Sequence, residues 1–120
     1  DNPDIDLNMA NSVAEAKAFK APLLLGEFGF TDKTANYAKI LDKLLGLADK
    51  HAAHTAQWVW KENSQDAWGF YDFKDGKPIL RENTARATAR AYPRAISGRI
   101  QAIHFNPATY ELNVAFHFLL

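Results

Sequence analysis

Pro22-Leu23-Leu24-Leu25-Gly26-Glu27-Phe28-Gly29-Phe30 is an apolar run that ends on one carboxylate set between two glycines. Leu23 to Leu25 shows no polar alternation, the habit of a strand buried on both faces in a parallel α/β sheet. Glu27 then falls at the C-terminal edge of that strand. In open α/β sheets and in (β/α)8 barrels this edge is where ligands bind, because its loops vary without disturbing the sheet. Gly26 and Gly29 leave room for backbone or ligand to come close. Taken alone, Glu27 reads equally well as a structural acid at a helix start or an arginine's partner.

The surrounding chain narrows the choice. Its 120 residues suffice for a small domain with its own core. Its 14 basic and 14 acidic residues leave no net field to draw nucleic acid or an anionic membrane. There is no cysteine, hence no disulfide framework and no thiolate metal site. The start, Asp1-Asn2-Pro3-Asp4, lacks the basic and apolar regions of a signal peptide, and no run reaches membrane-spanning length. Ala115 to Leu120 is mostly apolar and stops without a turn signal, as expected of a segment of a longer chain.

Working outward from Glu27, Ser12-Val13-Ala14-Glu15 has capping-box spacing and predicts a short helix to about Lys20, which Pro22 ends. Thr31 and Asp32 are candidate caps for a second helix, with Tyr37, Leu41, Leu44 and Ala48 as its stripe and Ile40, Leu45 and Leu47 widening it. Thr55 to Trp60 has strand composition. A strand, a helix and a strand in this order predict parallel neighbours, with Glu27 and the end of the second strand on one side.

Lys61 to Pro78 mixes polar residues with Trp68, Phe70, Tyr71 and Phe73, which predicts a long binding loop. Arg81 to Tyr92 returns to helix, capped near Asn83 and ended by Pro93. Arg99 to Phe105 and Tyr110 to Phe118 flank Asn106-Pro107-Ala108-Thr109, and Tyr110, Leu112, Val114, Phe116 and Phe118 alternate with polar or small residues. This predicts a hairpin with one apolar face, which needs a further sheet to cover it. The expected division is therefore a parallel α/β part over residues 1–93 and the start of an antiparallel β-domain over residues 94–120.

Gly26-Glu27-Phe28-Gly29 at a strand end, the helix after it, and a next strand closing in Gln57-Trp58-Val59-Trp60 together resemble the seventh and eighth strands of the (β/α)8 TIM barrel in glycoside hydrolase family 5. Within that family the segment looks most like the bacterial endoglycoceramidases, which carry a C-terminal β-sandwich. The resemblance implies the C-terminal part of such a barrel, with residues 94–120 as the first hairpin of an incomplete sandwich. It implies a retaining endo-β-glycosidase that cuts the bond between oligosaccharide and ceramide in glycosphingolipids, secreted or cell-surface associated, with no cofactor and no metal.

By the same resemblance Glu27 is the catalytic nucleophile, and Trp58 is the tryptophan that supports the sugar, with Trp60 as the alternative. The family's acid/base glutamate follows an asparagine, and no Asn-Glu string occurs here; Glu62-Asn63 has the order reversed. The acid/base group is therefore expected outside this chain, on an N-terminal segment present as a separate chain. Glu62, after the neighbouring strand, and Asp66 are the weaker candidates within it. Trp68, Phe70 and Tyr71 with Phe73 form either an apolar rim for ceramide chains or the rings that pin the loop down.

Other features carry less. His51 and His54 straddle a helix end with no third ligand at metal-site spacing, and read as cations at a helix C-terminus. His104 and His117 have positions from which they could face each other across the hairpin, and with no acid or cysteine nearby they read as sheet surface. Arg81, Arg86, Arg90, Arg94 and Arg99 are offset by Glu82 and have few interleaved rings, which argues against nucleic acid. Two other functions fit the same residues: a family 5 endoglucanase or mannanase acting on polysaccharide, and a non-catalytic module that binds carbohydrate or lipid.

Overall fold

The computed structural model of the chain describes residues 3–31, 33–60 and 68–118. Helix α1 runs Pro3–Ala18, eight residues and more before the expected start. Proline is pre-organised for the first helical turn, and Asp4 and Asp6 there complement the helix dipole, so the stronger start signal lies ahead of Ser12. Ile5, Met9, Val13 and Ala16 line its inner face, with Met9 buried. Lys43 Nζ reaches Asp6 Oδ2 at 2.5 Å and ties α1 to the next helix.

Strand β1 covers Leu24–Phe28, helix α2 Tyr37–Lys50 and strand β2 His54–Gln57; β1 and β2 pair in parallel. Tyr37, Leu41, Leu45 and Ala48 form the buried stripe of α2, so the helical spacing holds with Leu45 deeper than Leu44. The cap differs. Asn36 in the left-handed region precedes α2 and its side chain makes no capping bond. Thr31 Oγ1 instead accepts from the Lys33 amide in a local turn, and Asp32 lies outside the described residues.

A hairpin follows where one long loop is expected. Strands β3 (Tyr71–Lys74) and β4 (Lys77–Leu80) are antiparallel, joined through Asp75 and Gly76, both with positive φ. Asp-Gly is the preferred pair for such a tight turn. Helix α3 is short, Glu82–Thr88, with Arg81 rather than Asn83 before it, and it ends well ahead of Pro93.

The long hairpin matches its expected limits within a residue or two: β5 is Gly98–Asn106 and β6 Glu111–Phe118. The Asn106 Oδ1 accepts from the amide of Ala108 at 2.9 Å, which closes the turn. A bulge places one extra β5 residue between the Ile100–Phe116 and Ala102–Ala115 pairs. Ile100 and Ile103, three apart, thereby share the face of Phe105, Leu112, Val114 and Phe116. The histidines do not meet: His104 lies opposite Asn113, and His117 opposite Arg99.

Helix α2 packs on α3 and β5, and Phe105 is buried there. The radius of gyration is 16.1 Å, against about 14 Å for a compact chain of this length. Large apolar side chains therefore stay on the surface, among them Leu24, Trp60 and Phe118. A cavity of about 510 Å³ opens between α2, the first residues of β2, and β5; Glu27, near the far end of the strand pair, does not line it.

Candidate functional site

Glu27 is the penultimate residue of β1. Between the pairs Leu25–Thr55 and Phe28–Gln57, β1 advances three residues and β2 two, so an extra residue falls at Gly26 and Glu27. A bulge of this kind bends the strand and re-aims a side chain. The Glu27 carboxylate is exposed, and no described residue holds it by an ion pair or hydrogen bond. It is thus an acceptor open to an incoming group.

The ends of β1 and β2 stay together past the ladder. The Trp58 amide donates to the Phe28 carbonyl at 2.6 Å, and Gly29 lies against the Trp58 carbonyl. A Cβ on Gly29 would stand 2.1 Å from that oxygen and 3.3 Å from Cε3 of Trp68. Backbone on one side cannot yield cheaply. Gly29→Ala is expected to destabilise the fold by about 2 kcal/mol, read by urea unfolding, and to push the Trp58 carbonyl and the Trp68 ring away from the end of β1.

Strand β2 ends at Gln57, so Trp58 and Trp60 lie past its end, although composition predicts strand over Thr55 to Trp60. The Trp58–Val59 peptide is cis. Trp60 turns to the β3–β4 hairpin instead, with its ring 5.3 Å from Phe70 and 5.4 Å from Tyr71. The Phe70 amide donates to the Trp60 carbonyl at 3.1 Å. The Trp68 ring and the Trp58 carbonyl thus lie against Gly29, while Trp60, Phe70 and Tyr71 form a separate group of rings. Trp60 keeps 63% of its surface exposed, so packing does not use it up. Glu62, Asp66 and Lys61 lie outside the described residues.

One participant is invisible in the sequence pattern. The Arg81 side chain, only 7% exposed, donates to the Gly69 carbonyl at 3.1 Å and forms a short ion pair with Asp72. Its backbone amide donates to the Phe70 carbonyl at 2.8 Å. The Arg81 hydrogen bond and charge hold the Asp72 carboxyl below the usual carboxylate range. An acid whose folded pKa is depressed stabilises the fold above its unfolded value, about 4. This contribution is expected to be complete at neutral pH and lost as pH falls below 4 through the folded value. Acid titration of thermal stability, compared with Asp72→Asn, measures it.

His51 caps the end of α2, but burial, then Lys50 and Lys17, lower its pKa, so the cationic form expected there is disfavoured. Among the described residues no group of three acids or histidines is placed to hold a metal ion, and no helix is long and apolar enough to cross a membrane.

No protein-family model and no curated protein matches the chain. Solved structures do. The endo-glycoceramidase II of Rhodococcus sp. superposes with a TM-score of 0.66 at 25% identity, over 83% of this chain and 22% of that one. Its lactosyl-enzyme intermediate gives a TM-score of 0.67 at 25% identity over the same 83% and 22%. Its complex with ganglioside GM3 gives 0.67 at 24% identity, over 83% and 21%. The chain is similar to these in fold, and spans 22% of the length of the first of them.

Proposed function

We propose that this chain, similar in fold to the Rhodococcus endo-glycoceramidase II, is the C-terminal part of a retaining glycosidase that separates oligosaccharide from ceramide. The observation that carries the reading is Glu27 itself, an exposed carboxylate re-aimed by a bulge at the C-terminal end of a parallel strand pair. The structural likeness supports it, as does the apolar surface left on β1 and after β2, which a complete barrel would cover. On this reading residues 1–93 complete the barrel and the β5–β6 hairpin opens a β-sandwich. The secreted or cell-surface location rests on the family resemblance.

The chemistry proceeds in two displacements. Glu27, ionised, attacks the anomeric carbon while a protonated glutamate roughly 5 Å away gives its proton to the leaving oxygen. Ceramide departs with that hydroxyl and the sugar remains as an ester on Glu27. The second carboxylate then takes a proton from water, which opens the ester with net retention. That second glutamate lies outside the present residues. In the structural neighbour the matched part is 22% of one continuous chain. We therefore place the second glutamate on the same polypeptide and abandon the separate partner chain. Trp58 supplies a flat face for the sugar, and Trp60, Trp68, Phe70 and Tyr71 line the side from which ceramide leaves.

Product analysis tests this. The full protein incubated with a ganglioside is expected to release intact oligosaccharide and free ceramide. Release of cello- or manno-oligosaccharides from polysaccharide, with gangliosides untouched, would replace the lipid substrate by a polymeric one.

A further inference from the structure

We infer that Arg81 is a positioning residue that sets the aromatic segment following Trp68, the ring packed against Gly29 just past the end of β1, and so governs selection of the lipid part of the substrate. This rests on the glycosidase reading above and deepens it. Three bonds of Arg81 converge on the segment that carries Phe70 and Tyr71. Its side chain holds the Gly69 carbonyl and the Asp72 carboxylate, and its amide holds the Phe70 carbonyl. Residues 69, 70 and 72 enclose Phe70 and Tyr71, the two rings against Trp60, and directly follow Trp68, the ring against Gly29.

The arrangement resembles a clamp more than a core. Gly69 is buried and Arg81 nearly so, whereas Asp72 is 57% exposed and Trp60 63% exposed. A guanidinium offers several donors in a rigid plane, so it fixes a carbonyl and a carboxylate at a set angle, which a lysine cannot reproduce. Small shifts of a positioning group weaken binding and orientation sharply. A ceramide carries two long apolar chains, and each buried methylene adds to binding. Loss of the clamp therefore bears on substrates with lipid and much less on those without.

The test compares two substrates with the same glycan in the full protein: a glycosylceramide, and a nitrophenyl glycoside whose small leaving group does not reach the rim. For Arg81→Lys, kcat/KM toward the lipid substrate is expected to fall about tenfold more than toward the aryl glycoside, carried by KM with kcat nearly kept. Asp72→Asn, at an exposed position and still folded, is expected to shift the same ratio in the same direction by a smaller factor. Equal losses on both substrates for the two variants, or no loss, would overturn the inference and leave Arg81 a structural residue. If the unmodified protein cleaves neither substrate, the glycosidase reading itself fails, and the inference with it.

Discussion

Glu27→Gln is expected to lower turnover of a glycosphingolipid by at least ~10⁴-fold, the scale seen when a covalent nucleophile is removed. The amide keeps the size of the carboxyl and loses the charge that attacks the anomeric carbon. Affinity for the lipid is expected to stay within about threefold, because ground-state binding does not use the attack. Stability should hardly move. Glu27 is exposed and no described residue pairs with it, so the substitution breaks no structural bond. A non-catalytic binding module makes a different forecast: the same substitution leaves both affinity and stability alone, and there is no turnover to lose. Steady-state kinetics, binding and a melting curve on one variant separate the two.

Arg90→Ala is expected to be the costliest change away from the site, about 3 kcal/mol. The Arg90 side chain, 9% exposed, bonds Asp42 Oδ1 at 3.0 Å and Asp49 Oδ2 at 2.9 and 3.3 Å. Its guanidinium stands 4.8 Å from the centre of the Phe105 ring. One side chain thereby joins two acids of α2 to the buried ring of β5. Truncation leaves Asp49, only 22% exposed, without its cation, whereas Asp42 at 47% regains water, which keeps the figure below that of a fully buried pair. Arg90→Lys retains a charge and loses the planar fork, so about half of the loss should remain. Thermal unfolding is expected to show a fall on the order of 10 °C for the alanine variant.

The sequence was most legible where one residue type has one structural meaning. The apolar stripe of α2 and the alternation of Tyr110 to Phe118 each fix a period, and each element appears where its period predicts, whereas the leucine run forms its strand without the two-sided burial expected of it, Leu24 being 61% exposed. It was misread where two signals competed. Ser12 and Glu15 copy a helix start inside a helix that Pro3 had already begun. Asp75-Gly76 marks a hairpin, but the aromatic composition around it drew the reading toward an irregular loop. Of the candidate site, Glu27 and the aromatic residues stand out by type, while the bulge at Glu27 depends on register with β2, and the Arg81 side-chain bond reaches a carbonyl twelve residues back. Neither is encoded by local spacing.

If Glu27 is the nucleophile, the ester it forms with the sugar can be trapped. A 2-deoxy-2-fluoro-glycoside with a good leaving group glycosylates a retaining enzyme and then stalls, because fluorine slows the second displacement. The full protein is treated, digested and mapped by mass spectrometry. One added fluoroglycosyl group is expected, on the peptide that spans Pro22 to Phe30, and on Glu27 within it. A label on any other carboxylate, or an unlabelled protein that still turns over the natural substrate, would contradict it.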